Sequence, residues 1–451
     1  MHARRLVPAV LTLLLAAALA ACAAAPVPTD AVAAAAAQVH DWAWTEQAAP
    51  LALGVTHTQD SLNPDEPTAA AQRGLAILRG NGAGWQNQHL MGFGTLNPEP
   101  SPGDYQWASL DQRMQLIKDS GGQTVLTLCC APDWMKGGKP GTTDWSHLEY
   151  APTPDHYADY ADLAAKAVAR YPQVKRVVVW NELKGFYDQD QNRWDYEDYT
   201  NLYNAVYTAV KAVRPDVLVG GPYAVLSSLQ PGSDAADASD LSGPWGVADQ
   251  RSLDIITYWL AHNVGADFIA VDGGTAERSG ASASDGTVPV PADKAAQKFA
   301  DLTAWIRARS PLPIWWSEFY PDVPSGTTGG PSSQASAAST LAAIAAFAQS
   351  GVSGALLWGP QGSSDVPYAA LWTDSTDAGG GQPTPLTSAW QWLVPRLAAG
   401  SVEIGRSPSV PLVAFRAPDG MLVVNLTGQA VTVGAGGAAF PAWGISRTAA
   451  P

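Results

Sequence analysis

The sequence predicts an α/β fold: a (β/α)8 TIM barrel followed by a small all-β appendage at the C-terminal end. Three observations lead there. Between residues 51 and 397, eight short apolar runs alternate with about eight stretches of helical pattern. The run Val177-Val178-Val179 has no polar alternation, which is how a strand of a parallel sheet reads when both its faces are buried. After residue 399 the helical rhythm stops, and short strands separated by turn residues replace it.

Taken in order, residues 51–57 form a first strand and 67–78 a helix. Residues 89–94 are read as the second strand, followed by a loop of breakers at 97–103 and a helix at 110–118. The third strand is 123–129, the next helix 155–170, and the fourth strand 174–180. A long amphipathic helix at 196–213 is stopped by Pro215. The fifth strand, 217–221, leads into a Gly/Ser/Asp/Pro-rich loop at 227–247, long enough to act as a lid or insertion. A helix at 252–262, a sixth strand at 267–271 and a polar loop at 273–289 follow. Helix 293–309, strand 313–318, helix 334–349, strand 352–358 and helix 386–397 complete the barrel domain, 51–397. Short strands at 402–404, 412–415, 422–426 and 430–433 make residues 398–451 a small β-sandwich-like domain. It is too small to bury a core alone and must lean on the barrel.

The N-terminus reads as targeting sequence. Arg4 and Arg5 precede an apolar run that ends in Leu19-Ala20-Ala21-Cys22. That ending resembles a bacterial lipobox, which implies a signal peptide at 1–21 and a lipid anchor at Cys22. The protein would then be an extracytoplasmic membrane lipoprotein; cleavage near the same place would otherwise release a secreted one. The Ala/Pro-rich stretch 22–50 reads as a tether that begins to order near Trp42 and Trp44. A net charge of −15 argues against nucleic acid as a partner. The remaining two cysteines, Cys129 and Cys130, are adjacent: either a vicinal disulfide or two buried thiols. No His pair has ligand spacing, so neither a metal nor a cofactor is expected.

The chemistry lies in two carboxylates. Strand four runs into Trp180-Asn181-Glu182, and strand seven ends Trp315-Trp316-Ser317-Glu318. In a barrel these strand ends face each other across the C-terminal mouth, where catalytic groups sit. Two carboxyls roughly 5 Å apart there suit a retaining glycosidase: one, raised in pKa by desolvation, protonates the leaving oxygen, and the other stays ionised and attacks the anomeric carbon. His57 and His89 lie on the first two strand segments, within reach of sugar hydroxyls. Trp134 is a candidate wall of the site, and Tyr320 and Tyr223 are weaker contacts. Phe186, with Tyr187, would line a leaving-group subsite beyond Glu182.

Trp180-Asn181-Glu182 resembles the strand-four signature of clan A glycoside hydrolases, and Trp316-Ser317-Glu318-Phe319 that clan's strand-seven region. Within the clan the chain is most similar to glycoside hydrolase family 39, the β-xylosidase-like family. Residues 100–107 resemble its element after strand two, residues 127–135 its strand-three end, and Leu356-Leu357-Trp358 its strand-eight Trp. The resemblance implies that Glu182 is the acid/base and Glu318 the nucleophile. It also implies that Asn181 bonds the sugar 2-hydroxyl and that Trp358 forms a platform under the sugar. Two departures stand out. Leu183-Lys184 follows Glu182 where the clan commonly has Pro, and Asp272 ends strand six where a His or Tyr is expected.

The expected function is therefore a retaining glycoside hydrolase that cleaves β-glycosidic bonds in extracellular oligo- or polysaccharide. The alternatives are an endo-acting glycanase of the same clan, acting on a cell-wall or exopolysaccharide, and a carbohydrate-binding lipoprotein without catalysis. A binding module has no need of a carboxylate pair.

Overall fold

The computed structural model describes residues 35–36, 39–59, 61–81, 84–231, 237–278, 287–288, 290–324, 326–363, 368–434 and 438–448. The signal peptide, Cys22 and most of the expected tether lie outside the described residues. Among the described residues, no helix is long and apolar enough to cross a membrane.

Eight parallel strands close into a barrel in chain order: Ala52–Thr56, Trp85–His89, Gln123–Leu128, Val174–Val179, Leu218–Val225, Phe268–Gly274, Ile314–Tyr320 and Gly354–Trp358. They are numbered here as barrel strands one to eight. Val125, Val178, Phe268, Ala270, Trp315 and Leu356 fill the interior. Deeper in, the Arg176 guanidinium lies between the rings of Trp85 and Trp315, 4.5 Å from each centroid. The outward residues of the same strands, such as Val177, Val179 and Trp316, join the larger core shared with the helices.

Strand two differs from expectation. It is Trp85–His89, not 89–94, because its sequence, WQNQH, is polar and carries no apolar signal. Its amides are buried but satisfied. Asn87 bonds Thr56 and Thr127, Gln86 bonds His57 and Ser120, and Gln88 accepts from Arg113. Downstream, Gly92 and Gly94 adopt φ of +73° and +93°, which ends the strand in a turn. Cys129 and Cys130, at the end of strand three, are joined as a vicinal disulfide across a cis peptide bond.

The two long loops also carry more order than their composition suggests. Ser228–Leu229, Ala238–Gly243 and Gly246–Asp249 from the first pair with Glu277–Arg278 and Thr287–Val288 from the second in one five-stranded sheet. Lys298, wholly buried on the helix Gln297–Arg307, donates to Ser228 Oγ at 3.1 Å and to the Gly274 carbonyl at 2.8 Å. It thereby ties both loops to the barrel wall.

The C-terminal sheet orders Ala43–Glu46, Glu403–Arg406, Leu412–Ala417, Gly420–Asn425 and Ile445–Thr448. Ala43–Glu46 pairs antiparallel with Glu403–Arg406, so this part of the stretch read as a tether is an edge strand. Alternation gives the sheet two apolar faces. Val413, Phe415, Leu422 and Val424 join the core shared with the barrel. Leu412, Ala414 and Val423 pack on the hairpin Val431–Val433/Ala438–Phe440 through Val431, Val433 and Phe440. The helix Gln334–Ser350 lies between sheet and barrel. Every residue from Ala335 to Ala348 is buried, which explains its Ala-rich, non-amphipathic composition.

Sheet and barrel thus share one core. Phe415→Ala should remove roughly 3–5 kcal/mol and lower a single unfolding transition followed by tryptophan fluorescence in denaturant. A separate early transition, with the barrel unaffected, would show that the sheet folds independently.

Candidate active site

The site forms where four strands end at the barrel's C-terminal mouth, and local backbone irregularities aim its side chains. At strand four, Trp180 adopts φ of +68°, followed by Glu182 at +51° and Leu183 at +51°. The Trp180 ring joins the outer core, edge-on to Tyr160 and Phe186, and its Nε1 donates to the Lys184 carbonyl at 2.7 Å. Such left-handed turns in bulky residues cost about 1–3 kcal/mol each and persist only where the surroundings enforce them. Here they turn Asn181 and Glu182 into the mouth.

Two bulges flank strand six. Its register against strand seven passes from Val271↔Trp316 to Asp272↔Glu318, leaving Ser317 as the extra residue. Without that residue Glu318 would point outward, since Trp316 and Phe319 both pack against Phe299 and Phe347 on the helix side. The Ser317 carbonyl is pinned by the Thr56 hydroxyl at 2.8 Å. Against strand five the register passes from Ala270↔Pro222 to Val271↔Ala224, which frees Tyr223, at φ of +59°, to point inward. Bulges re-aim side chains in this way at the rims of barrels.

The result is a cluster of three carboxyls. Glu182, Asp272 and Glu318 each offer an oxygen within 4.8 Å of the others. Asp272 and Glu318 are buried, and Glu182 is 15% exposed. Tyr223 donates its hydroxyl to Glu318 Oε1 at 2.7 Å. Lys184 Nζ stands 2.7 Å from Glu182 Oε2 and 2.6 Å from Glu149. Neither oxygen of Asp272 has a well-directed hydrogen-bond partner. Three carboxyls at this spacing could ligate a hard cation, but the Lys184 ammonium already supplies positive charge there.

Burial and mutual repulsion divide the protons. Burial, then the charges of Glu182 and Glu318, hold Asp272 protonated, well above the usual carboxylate range. Burial, then the charge of Glu182, pushes Glu318 up to about 8 against the opposing Tyr223 hydrogen bond. Glu182 is also penalised by burial, but the facing Asp272 carboxyl and the Lys184 charge outweigh that and hold it below its ordinary value. The raised acid of the pair is therefore Glu318, whereas the expected proton donor was Glu182. The physical reason is that the Asp272 carboxyl and then the adjacent Lys184 charge favour ionised Glu182, whereas the Lys184 charge acts on Glu318 only after the Tyr223 hydrogen bond.

Some of the other expected residues gather here. Asn181 is buried, with Oδ1 3.4 Å from His89 Nε2, and burial keeps His89 neutral by lowering its pKa to about 4. Tyr320 faces Asp272 and meets Trp358 edge-on at 5.9 Å, with Tyr368 completing the aromatic group. Three residues are used elsewhere. His57 turns into an outer polar cluster, 3.0 Å from Gln86 Oε1 and close to Arg113, because its strand position faces the helices. Trp134 donates to the Glu99 carbonyl at 2.9 Å and packs against its own loop. Phe186 is buried edge-on between Trp180 and Tyr199. Residue spacing alone gave little weight to Tyr223 and none to Glu149 or Tyr368. A Lys two residues after Glu182 was the one local signal.

No family model and no curated protein sequence matches the chain. Solved structures match in fold. A monomeric β-xylosidase from Caulobacter crescentus CB15 aligns at 16% identity and a TM-score of 0.54, over 84% of this chain and 74% of that one. A family 39 glycoside hydrolase from Bacteroides cellulosilyticus WH2 aligns at 15% identity and 0.54, over 85% and 72%. A GH39 enzyme from Xanthomonas axonopodis pv. citri aligns at 18% and 0.53, over 85% and 73%. At these identities the likeness is one of fold.

The charge arrangement makes a direct prediction. Lys184→Met removes the cation that favours ionised Glu182, so the pKa of Glu182 should rise. Carboxyl 13C NMR of glutamate-labelled protein would show one buried resonance titrating at higher pH than in the wild type. An unchanged titration would mean that Lys184 does not set the charge of Glu182.

Proposed function

We propose that this protein is a retaining β-glycosidase similar to the family 39 glycoside hydrolases. The observation that carries the reading is the facing of Glu182 and Glu318 across the mouth, with oxygens within 4.8 Å. Retaining enzymes place their carboxyls about 5–5.5 Å apart, whereas inverting ones need roughly 6.5–9.5 Å to admit a water. The fold neighbours named above, described as a β-xylosidase and as family 39 enzymes, point to the same chemistry.

In this mechanism Glu318 attacks the anomeric carbon as Glu182 gives its proton to the departing glycosidic oxygen, leaving a glycosyl ester on Glu318. Glu182, now a carboxylate, takes a proton from water; the water oxygen attacks the same carbon and Glu318 departs ionised. The reactive state needs Glu318 ionised and Glu182 protonated, with Asp272 still protonated. Because Glu318 is raised and Glu182 lowered, reaching that state takes a proton shift from Glu318 to Glu182, which leaves the net charge of the cluster unchanged. Tyr223 is placed to stabilise ionised Glu318 once the proton leaves. With the His89 proton on Nε2, Asn181 Oδ1 is occupied and its amide N–H groups point to a sugar hydroxyl, an interaction that strengthens as charge develops. Trp358 supplies an apolar floor beneath the ring.

Two experiments test this. Proton NMR of the first-formed product from an aryl β-glycoside, with β-xyloside tried first, should show the β-anomer; an α-anomer would sink the retaining mechanism. Glu182→Ala should be rescued by azide as a β-glycosyl azide, and Glu318→Gly should lose turnover without such rescue. We also propose that Cys22 carries a lipid anchor outside the cytoplasmic membrane. Cys22→Ser should release the protein to the soluble fraction, and retention at the membrane would refute the anchor.

A further inference from the structure

A cavity of about 630 Å³ opens immediately beyond Glu182. Leu183, Lys184 and Gly185 form one wall. The short hairpin Tyr187–Asp188/Arg193–Trp194 forms another, and Arg251 and Arg278 close it from the loops after strands five and six. Because Lys184 both lines the cavity and touches Glu182, the cavity lies on the side from which the acid/base meets the leaving group. Tyr187 and Trp194, ring centroids 5.3 Å apart, offer aromatic surface of the kind that sugar faces pack on.

Its charge is unusual for a chain of net charge −15. Three cations line it, and two have counter-ions. Lys184 is paired with Glu149 and Glu182. Arg251 is paired with Asp249 at 2.8 Å and Asp237 at 3.2 Å, and it also holds the Tyr187 hydroxyl at 3.1 Å. Arg278 has no carboxylate partner among the described residues. Its Nη2 donates to Ser227 Oγ at 2.7 Å. Its backbone is fixed by the loop sheet, where Arg278 pairs with Leu229 and its carbonyl accepts from Gln230 N at 2.9 Å. A half-buried guanidinium is thus held in place by one side-chain hydrogen bond among the described residues, to Ser227, and burial works against its charge. Leaving such a cation without an anion is unfavourable. A planar guanidinium fork fits a carboxylate in two parallel hydrogen bonds.

We propose that this cavity receives an acidic sugar residue, a uronate, on the leaving-group side of the cleaved bond, and that Arg278 takes its carboxylate. The placement on the leaving-group side rests on the glycosidase reading; the anion site itself does not.

The test is a binding measurement on the full chain and needs no turnover. Titrations with methyl β-D-glucuronide and methyl β-D-glucoside, followed by NMR, should show at least tenfold tighter binding of the glucuronide. Arg278→Gln should abolish that preference. Arg278→Lys, which keeps the charge but not the fork and perturbs the fold least, should keep only part of it. Equal binding of the two glycosides, or a preference that survives Arg278→Gln, would overturn the proposal. Glucose 6-sulfate binding as tightly as the glucuronide would overturn the choice of a carboxylate. Hydrolysis without the preference would remove the uronate site and leave the glycosidase standing. The preference without hydrolysis would do the reverse.

Discussion

Confinement of three carboxyls in a buried space is the constraint on which the rest of the site depends. Charges at such distances repel strongly once water is excluded, so the cluster exists only because the backbone leaves it no alternative. The closed barrel provides the rigidity. Bulges at Ser317 and Tyr223 and the left-handed turn at Trp180 provide the direction. The turn at Trp180 and the bulge at Ser317 are anchored on the far side by packing that would be lost if the strand straightened. Trp180 is wedged against Tyr160 and Phe186, and Phe319 against Phe299 and Phe347. The outer aromatic shell thus holds the inner acids in place.

That confinement turns a pair into a proton-sharing triad. Burial favours the protonated form of Asp272 and of Glu318, while the Asp272 carboxyl and Lys184 favour ionised Glu182. Moving a proton from Glu318 to Glu182 leaves the net charge of the cluster unchanged. Any group that competes with Lys184 for the Glu182 carboxylate favours that transfer.

The barrel was legible because seven of its eight strands are apolar runs, and a buried parallel strand reads that way. Strand two was displaced by a few residues because WQNQH stabilises its buried amides through partners on other elements, which periodicity does not register. The loop sheet was hidden for a related reason. Ser228–Leu229 and Glu277–Arg278 are two residues each, and nothing local to either implies the other. Glu182 and Glu318 stood out because both follow aromatics at strand ends. Tyr223 stood out far less, since its inward aim depends on a register shift between strands. His57 and Trp134 were plausible by position alone. Both are turned away by the side of the strand or loop on which they fall.

Charge also divides the mouth into two sides. On one side Asp272 and Glu318 lie against Tyr320 and Tyr223, and among the described residues no cation forms an ion pair with either. On the other, Lys184, Arg251 and Arg278 line the cavity. An anionic sugar on the first side would add a fourth carboxyl to three already crowded within 4.8 Å. On the second side the same charge meets a guanidinium that the described protein leaves without a counter-ion. Lys184 stands at the boundary and belongs to both halves. Leu183 and Lys184, which follow Glu182, are therefore the point at which the charge of the carboxyl cluster meets that of the cavity.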